Sequence, residues 1–163
     1  MLFRSHAAAR MKADSPQSKK PSRHQTTLTE LGRFLVELAT QLNEQIIQGE
    51  EDATVRALHP WLRDQLDFLI SNCTPTPSLL RAAQSAASFE ALHGFSASAL
   101  DFTARILVGQ EKLLATEPQS ERLGWDLACI LTELADLLAK RGRSGDANAA
   151  YDHYKRALEI REA

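Results

Sequence analysis

The chain of 163 residues has only two cysteines and no long uninterrupted apolar run. Cys73 and Cys129 stand alone, without a CxxC pair or a nearby histidine at zinc-ligand spacing, so neither a disulfide framework nor a zinc site is expected. Isolated thiols are typical of a reducing compartment, which predicts a cytoplasmic protein. The most apolar stretch, residues 127–139, is interrupted by Thr132, Glu133 and Asp136. We therefore expect no membrane segment, and no secretory signal is visible.

Glycine and proline are also scarce, with seven and six residues, whereas alanine and leucine dominate. Alanine and leucine are strong helix formers, and glycine and proline are the residues that interrupt helices. The composition therefore predicts an all-α protein. The apolar fraction of 44% and the length together suit one domain with a substantial core.

The formal net charge of −2 hides an asymmetry along the chain. Residues 1–24 contain six basic side chains against the single carboxylate of Asp14, so the remainder of the chain is acidic. This composition predicts that residues 1–25 form a disordered basic arm. Two alternatives are an organelle transit peptide and a true start at Met11. A nucleic-acid partner is not expected, because the acidic remainder repels phosphate.

Apolar residues recur at spacings of three and four from Thr26 towards Gly49, which predicts a first helix. Acidic residues 50–52 suit the start of a second helix, in which Pro60 either makes a kink or opens a new helix. These two helices are predicted to form an N-terminal helical pair over residues 26–73.

The clearest break in the pattern is the Pro-Thr-Pro segment that follows Cys73. Thr76 is predicted to cap a third helix and Pro77 to occupy its first turn. The later helices are predicted from Ser96 to Thr116, from near Ser120 to the glycine turn at 142–145, and from a cap at Asp146 to the chain end. About six helices with short connections predict stacked antiparallel hairpins, an α-solenoid.

Residues 94–111 recur in related form at residues 145–162, at an offset of 51 positions. Six of the eighteen positions are identical, where roughly one would match by chance. The identical pairs are Gly94 and Gly145, Ala99 and Ala150, Asp101 and Asp152, Arg105 and Arg156, Leu107 and Leu158, and Glu111 and Glu162. A fixed offset of this kind indicates an internal repeat, whose units bury their apolar faces against each other.

The second copy resembles a tetratricopeptide repeat. Leu134 and Ala135 match the large and small residues of that family's helix A, and Ala150, Tyr154 and Ala157 match its helix B. The first copy is looser, with a threonine where the aromatic residue is expected and an isoleucine for one alanine, and the offset of 51 exceeds the family's usual 34. The resemblance covers residues 78–163 and implies two hairpins over residues 74–163.

In the tetratricopeptide family, partners bind on the concave surface lined by helix A. The resemblance therefore implies partner contacts at Arg81, Gln84 and Ser88 in the first copy, and at Thr132, Asp136 and Lys140 in the second. The family's clamp for C-terminal carboxylates needs lysine and asparagine at two of these positions, where Gln84, Ser88, Thr132 and Asp136 stand instead. The resemblance thus implies a protein or peptide partner without that particular specificity.

The sequence contains no glycine-rich phosphate loop, nucleophile elbow or acidic metal cluster. Asp152 and His153 are adjacent, so on a helix their side chains diverge by about 100° and do not form an acid–base pair. Trp61 and Trp125 are expected to be core or helix-packing residues, not parts of an aromatic cage. Helix-end or surface positions are expected for the scattered histidines, His59, His93 and His153. We predict that the protein is not an enzyme and uses neither cofactor nor metal.

The predicted function is therefore a non-catalytic scaffold for protein–protein interactions. The last helix carries Tyr151, Tyr154, Leu158 and Ile160. An uncovered apolar face there predicts self-association through this helix, or a partner or a missing downstream segment that covers it. Two alternatives remain. The chain is a fragment or regulatory segment of a larger signalling protein, because a solenoid normally needs about three repeats. Otherwise it is a small helical regulator whose basic arm binds nucleic acid.

Overall fold

The computed structural model describes residues 23–48 and 53–162, and every regular element among them is an α-helix. The helices are α1 (Arg23–Ile47), α2 (Ala53–Asn72), α3 (Pro77–Leu92), α4 (Ser96–Thr116), α5 (Glu121–Arg141) and α6 (Asp146–Glu162). The predicted all-α fold with six helices is confirmed. Because α1 begins at Arg23, residues 23–25 are helical and do not belong to the predicted disordered arm. The rest of that arm and the acidic start predicted at 50–52 lie outside the described residues.

Most helices begin and end at the capping and helix-breaking residues predicted from the sequence. The hydroxyl of Thr76 accepts a hydrogen bond from the backbone amide of Leu79 at 3.3 Å, and Pro77 opens α3. Gly142 ends α5 with a left-handed φ of +64°, which glycine adopts without a Cβ clash. Pro60 lies inside the continuous α2, so it does not open a new helix.

Asp146 fastens the turn between α5 and α6, but it does so from the first turn of α6 and not as the predicted cap. Its carboxylate accepts two hydrogen bonds from the Arg141 guanidinium, at 2.8 and 2.6 Å, and one from the backbone amide of Arg143 at 2.8 Å. These contacts, with the Arg141 hydrogen bonds first, lower the pKa of Asp146 to about 2. The carboxylate therefore stays ionised and holds the two helices at their junction.

Each helix packs against its neighbour in sequence, and α1 with α3, α2 with α4 and α3 with α5 also touch. Among the described residues, neither α1 nor α2 contacts α5 or α6. The helices therefore follow one another in order, with the α1–α2 hairpin at one end and the α5–α6 hairpin at the other. One continuous apolar core runs through all six helices.

The internal repeat is visible in the backbone and in the burial of side chains. Gly94 and Gly145, 51 residues apart, lie in the two corresponding turns with φ of +87° and +89°. Ala99 and Ala150 are both buried, and so is Ala157, which takes the place of Ile106 in the first copy. Ala150 and Ala157, which match helix B of the tetratricopeptide pattern, are each 3% exposed.

Replacing Ala157 by leucine is expected to destabilise the fold, because the helix contact at this position has no room for three further carbon atoms. Ala157 is 3% exposed, and overpacking a core position typically costs about 1–3 kcal/mol. Urea denaturation of the purified variant gives the measurement. Ala104→Leu, at an exposed position inside α4, is the matched control and should change stability by less than about 0.5 kcal/mol. Equal midpoints for the two variants would contradict the packing described.

Candidate protein-interaction surface

A polar seam joins α3 to α5. The Gln84 amide donates a hydrogen bond to Glu133 at 3.1 Å, and the Ser88 hydroxyl donates one to the same carboxylate at 2.5 Å. Two turns earlier on α5, Asp126 lies 3.5 Å from a guanidinium nitrogen of Arg81. Three positions expected to contact a partner therefore also hold two helices of the same chain together.

Glu133 is the residue on which this seam depends, and the sequence reasoning did not select it. Burial between α3 and α5 raises the pKa of its carboxyl group, and the hydrogen bonds from Ser88 and Gln84 oppose that rise. Asp126 and Glu133 are seven residues apart and therefore share one face of α5. That spacing of two acidic residues within an apolar helix was the available signal in the sequence.

Removing the carboxylate of Glu133 is expected to destabilise the seam. In Glu133→Ala, Gln84 and Ser88 lose their acceptor, and a partly buried polar group left unpaired costs about 1–3 kcal/mol. Glu133→Gln keeps an acceptor for Ser88 and serves as the matched control. The measurement is the thermal midpoint of both variants and of the unchanged protein at pH 4.5 and pH 7.5.

The raised pKa fixes the sign of the pH effect at this residue. The folded protein holds the Glu133 proton more tightly than the unfolded chain does, so this contribution is most favourable below the unfolded pKa of 4.5 and is lost as the pH rises through the folded pKa. Glu133→Gln should therefore gain stability relative to the unchanged protein between pH 4.5 and 7.5. A constant difference between the two proteins across that range would contradict the burial of a titrating carboxyl group.

The three positions predicted on α5 lie on the stripe next to this seam. The Thr132 hydroxyl donates to the backbone carbonyl of Ala128 at 2.8 Å, and Asp136 accepts a hydrogen bond from the Tyr154 hydroxyl of α6. Lys140 is exposed near the end of the helix. The six predicted residues thus lie on two stripes, one on α3 that faces α5 and one on α5 that borders α6.

The exposed side of α6 carries three large hydrophobic residues. Tyr151 is 66% exposed and Leu158 is 55% exposed, and Tyr154 is also exposed beside them. Trp125 extends this surface on α5, where the guanidinium carbon of Arg161 lies 5.1 Å from the centroid of its ring. We refer to Trp125, Tyr151, Tyr154 and Leu158 as the C-terminal face.

The repeat allows the C-terminal face to be compared with the corresponding surface of the first copy. At the offset of 51, Tyr151, Tyr154 and Leu158 correspond to Leu100, Thr103 and Leu107 of α4. Those three residues are 8%, 0% and 9% exposed, on a helix that packs against α5. The stripe that is covered by the next hairpin in the first copy is therefore exposed in the second.

A second exposed apolar surface lies at the other end of the chain of helices. It consists of Phe34 on α1 and of Leu58, Trp61 and Phe68 on α2, and we refer to these four residues as the N-terminal face. Leu58, Trp61 and Phe68 recur at spacings of three and seven, so they form one stripe of α2. A cleft of about 710 Å³ lies near this end, between α1, the end of α2 and the start of α3.

Trp61 and Trp125 are exposed, so of the two placements expected for them the core is excluded. The expectation for His59 was wrong. His59 is not at the surface, since it is 4% exposed and stacks on the ring of Phe89 with centroids 4.0 Å apart. Helical periodicity places each of these residues on a stripe, but it does not say which stripes another helix will cover.

Within the described residues, no group of three or more histidine, cysteine, aspartate or glutamate side chains is arranged to hold a metal ion. In the same part of the chain, no helix combines the length and apolar character that a membrane crossing requires. Comparisons of this chain with protein-family models, with curated proteins and with solved structures found no match.

Proposed function

We propose that this chain is a non-catalytic protein-interaction module of the cytoplasm, built from tetratricopeptide-like helical hairpins. The observation that carries the proposal is the C-terminal face, whose repeat counterpart on α4 is buried. A surface that is covered in one copy of a repeat and open in the other is suited to receive a further helical element.

The side chains of the C-terminal face are better suited to binding a partner than to filling a core. Leucine and threonine at positions 100 and 103 are replaced by tyrosine at 151 and 154. Tyrosine, tryptophan and arginine are enriched at protein interfaces, where they combine a large apolar area with a polar group that is satisfied in water before binding. Trp125 and Arg161 add these residue types next to the two tyrosines.

The polar positions implied by the resemblance form the second part of the proposed surface. Arg81 borders a groove of about 240 Å³ between α1 and α3, and its side chain is 42% exposed. Thr132, Asp136 and Lys140 border the C-terminal face along α5. In this proposal the apolar residues supply binding energy, and the six polar positions, which include Gln84 and Ser88, orient a protein or peptide partner.

Site-specific photocrosslinking tests the proposal. A photoreactive phenylalanine derivative replaces Tyr151 in one protein and Val108, which is exposed on α4, in the control protein. Illumination in extract of the source cells should give one dominant protein adduct at position 151 and none at position 108. Introducing Leu158→Glu into the protein that carries the derivative should abolish that adduct, whereas introducing Leu92→Glu, at another exposed position, should not. An adduct that survives Leu158→Glu, or no adduct at position 151, would contradict the proposal.

A further inference from the structure

We infer that the C-terminal face binds the N-terminal face of a second copy of this chain, so that two molecules join head to tail. The inference rests on the proposed function, because it names the partner of the same surface. It is carried by the presence of two exposed apolar faces at opposite ends of one ordered series of helices.

The side chains of α2 form three stripes along the helix. Their contacts indicate that the N-terminal face points away from the α3–α4 hairpin. On one stripe, Asp67 accepts a hydrogen bond from Arg105 of α4 at 2.7 Å, and the Arg63 guanidinium lies 5.3 Å from the ring centroid of Phe102. The central stripe contains His59 and is buried. Leu58, Trp61 and Phe68 form the third stripe, on the far side of the central stripe from α4.

The C-terminal face points in the other direction along the series. Its counterparts on α4 face the next hairpin, where the Gln110 amide donates a hydrogen bond to the backbone carbonyl of Leu123 at 2.9 Å. Arg161 stands at the position of Gln110 in the second copy. A hairpin added after α6 would therefore cover Tyr151, Tyr154 and Leu158 as α5 covers Leu100 and its neighbours.

The α1–α2 hairpin of a second molecule can occupy the position after α6, because its exposed side chains are apolar. It presents Phe34 from its first helix and Leu58 and Trp61 from its second, so it offers apolar area on both helices. Each head-to-tail junction removes one C-terminal face and one N-terminal face from water, and burial of apolar surface is the dominant favourable term in association. As molecules are added, only the outermost face at each end of the assembly stays exposed. Pairing two C-terminal faces with each other would stop at a dimer with both N-terminal faces exposed.

The size of the faces predicts weak, concentration-dependent association. A 17-residue helix is about 25 Å long, so two adjacent helices about 20 Å wide offer roughly 500 Å² per molecule. This is at the lower limit for a specific interface. Because the two joined surfaces differ, the contact does not close on itself as a two-fold dimer does, and growth beyond two molecules is allowed.

Sedimentation equilibrium of the purified chain from about 1 to 500 μM tests the inference. Leu158→Glu disables the C-terminal face and Trp61→Glu disables the N-terminal face, with Tyr151→Glu and Phe34→Glu as second variants should either misfold. Leu92→Glu, at an exposed position on neither face, is the control. We expect the unchanged chain and the control to exceed twice the monomer mass with rising concentration. Each face variant alone should remain monomeric, and an equimolar mixture of the two should form a one-to-one dimer.

The mixture is the decisive arm of the experiment, because only head-to-tail contact lets two monomeric variants restore one intact junction. Dimers of Trp61→Glu alone would show pairing between two C-terminal faces and would overturn the inference. A monomeric unchanged chain at 500 μM would overturn it as well. In that case an adduct with a different protein at position 151 would leave the proposed function standing, so failure of the inference and failure of the function are distinguishable.

Discussion

Phe102→Ala is expected to destabilise the fold by about 3–5 kcal/mol, the range found when a buried aromatic side chain is truncated. Phe102 lies in the middle of α4 with no exposed surface. The Arg63 guanidinium of α2 sits over its ring, so the side chain joins the N-terminal hairpin to the first repeat. Truncation removes the transfer free energy of the ring and leaves a cavity that the surrounding helices fill only partly.

Chemical denaturation monitored by circular dichroism measures this effect, with Phe95→Ala as the control. Phe95 is exposed at the start of the same helix, so its truncation removes little buried area. The control is expected to lie within about 0.5 kcal/mol of the unchanged protein. Equal losses from the two variants would mean that Phe102 does not occupy the core position described.

Lowering the pH from 7 to 4 is expected to cost the fold about 3 kcal/mol through His59 alone. Burial, and to a smaller extent the nearby His93, lowers the pKa of His59 from 6.5 to about 4. The folded state keeps the ring neutral while the unfolded chain binds a proton below pH 6.5. Stability is therefore lost as the pH falls from 6.5 to about 4, and the loss is complete below the folded pKa.

The difference between the unchanged protein and His59→Gln isolates this contribution, because the other titrating groups are common to both. The variant should lose markedly less stability between pH 7 and pH 4 in urea denaturation. His93→Gln is the informative control, since it removes only the smaller cause and should keep most of the pH dependence. If His59→Gln follows the unchanged protein across the range, the ring is protonated in the folded state and the buried placement is wrong.

The all-α class, the number of helices and most of their boundaries were predictable from the sequence, because local effects decide them. Thr76 and Pro77 at one helix start, and Gly142 at one helix end, act through atoms within a few residues. The repeat was predictable for a related reason. Gly94 and Gly145 have nearly the same positive φ, which residues other than glycine rarely adopt. The glycine at each position therefore indicates a turn in the sequence itself.

The candidate site was predictable only in part. The sequence indicated that α6 carries an apolar stripe. Only the comparison with α4, whose corresponding stripe is buried, identified the tyrosines of α6 as part of a candidate binding surface. Gln84 and Ser88 were selected as partner contacts, yet the structure joins them to Glu133, 49 and 45 residues further along the chain. A hydrogen bond of that range depends on how two helices cross, which neither helix encodes alone.

The sequence by itself determined which residues share each helix stripe, where most helices begin and end, and that two hairpins are related. Only the tertiary structure decided which stripes are covered. It buried His59 under α3, left Trp61 and Trp125 exposed, and raised the pKa of Glu133 between two helices. The physical reason is that helical periodicity is set by hydrogen bonds four residues apart, whereas the environment of a side chain is set by neighbours that lie dozens of residues away, as Gln84 and Ser88 do from Glu133.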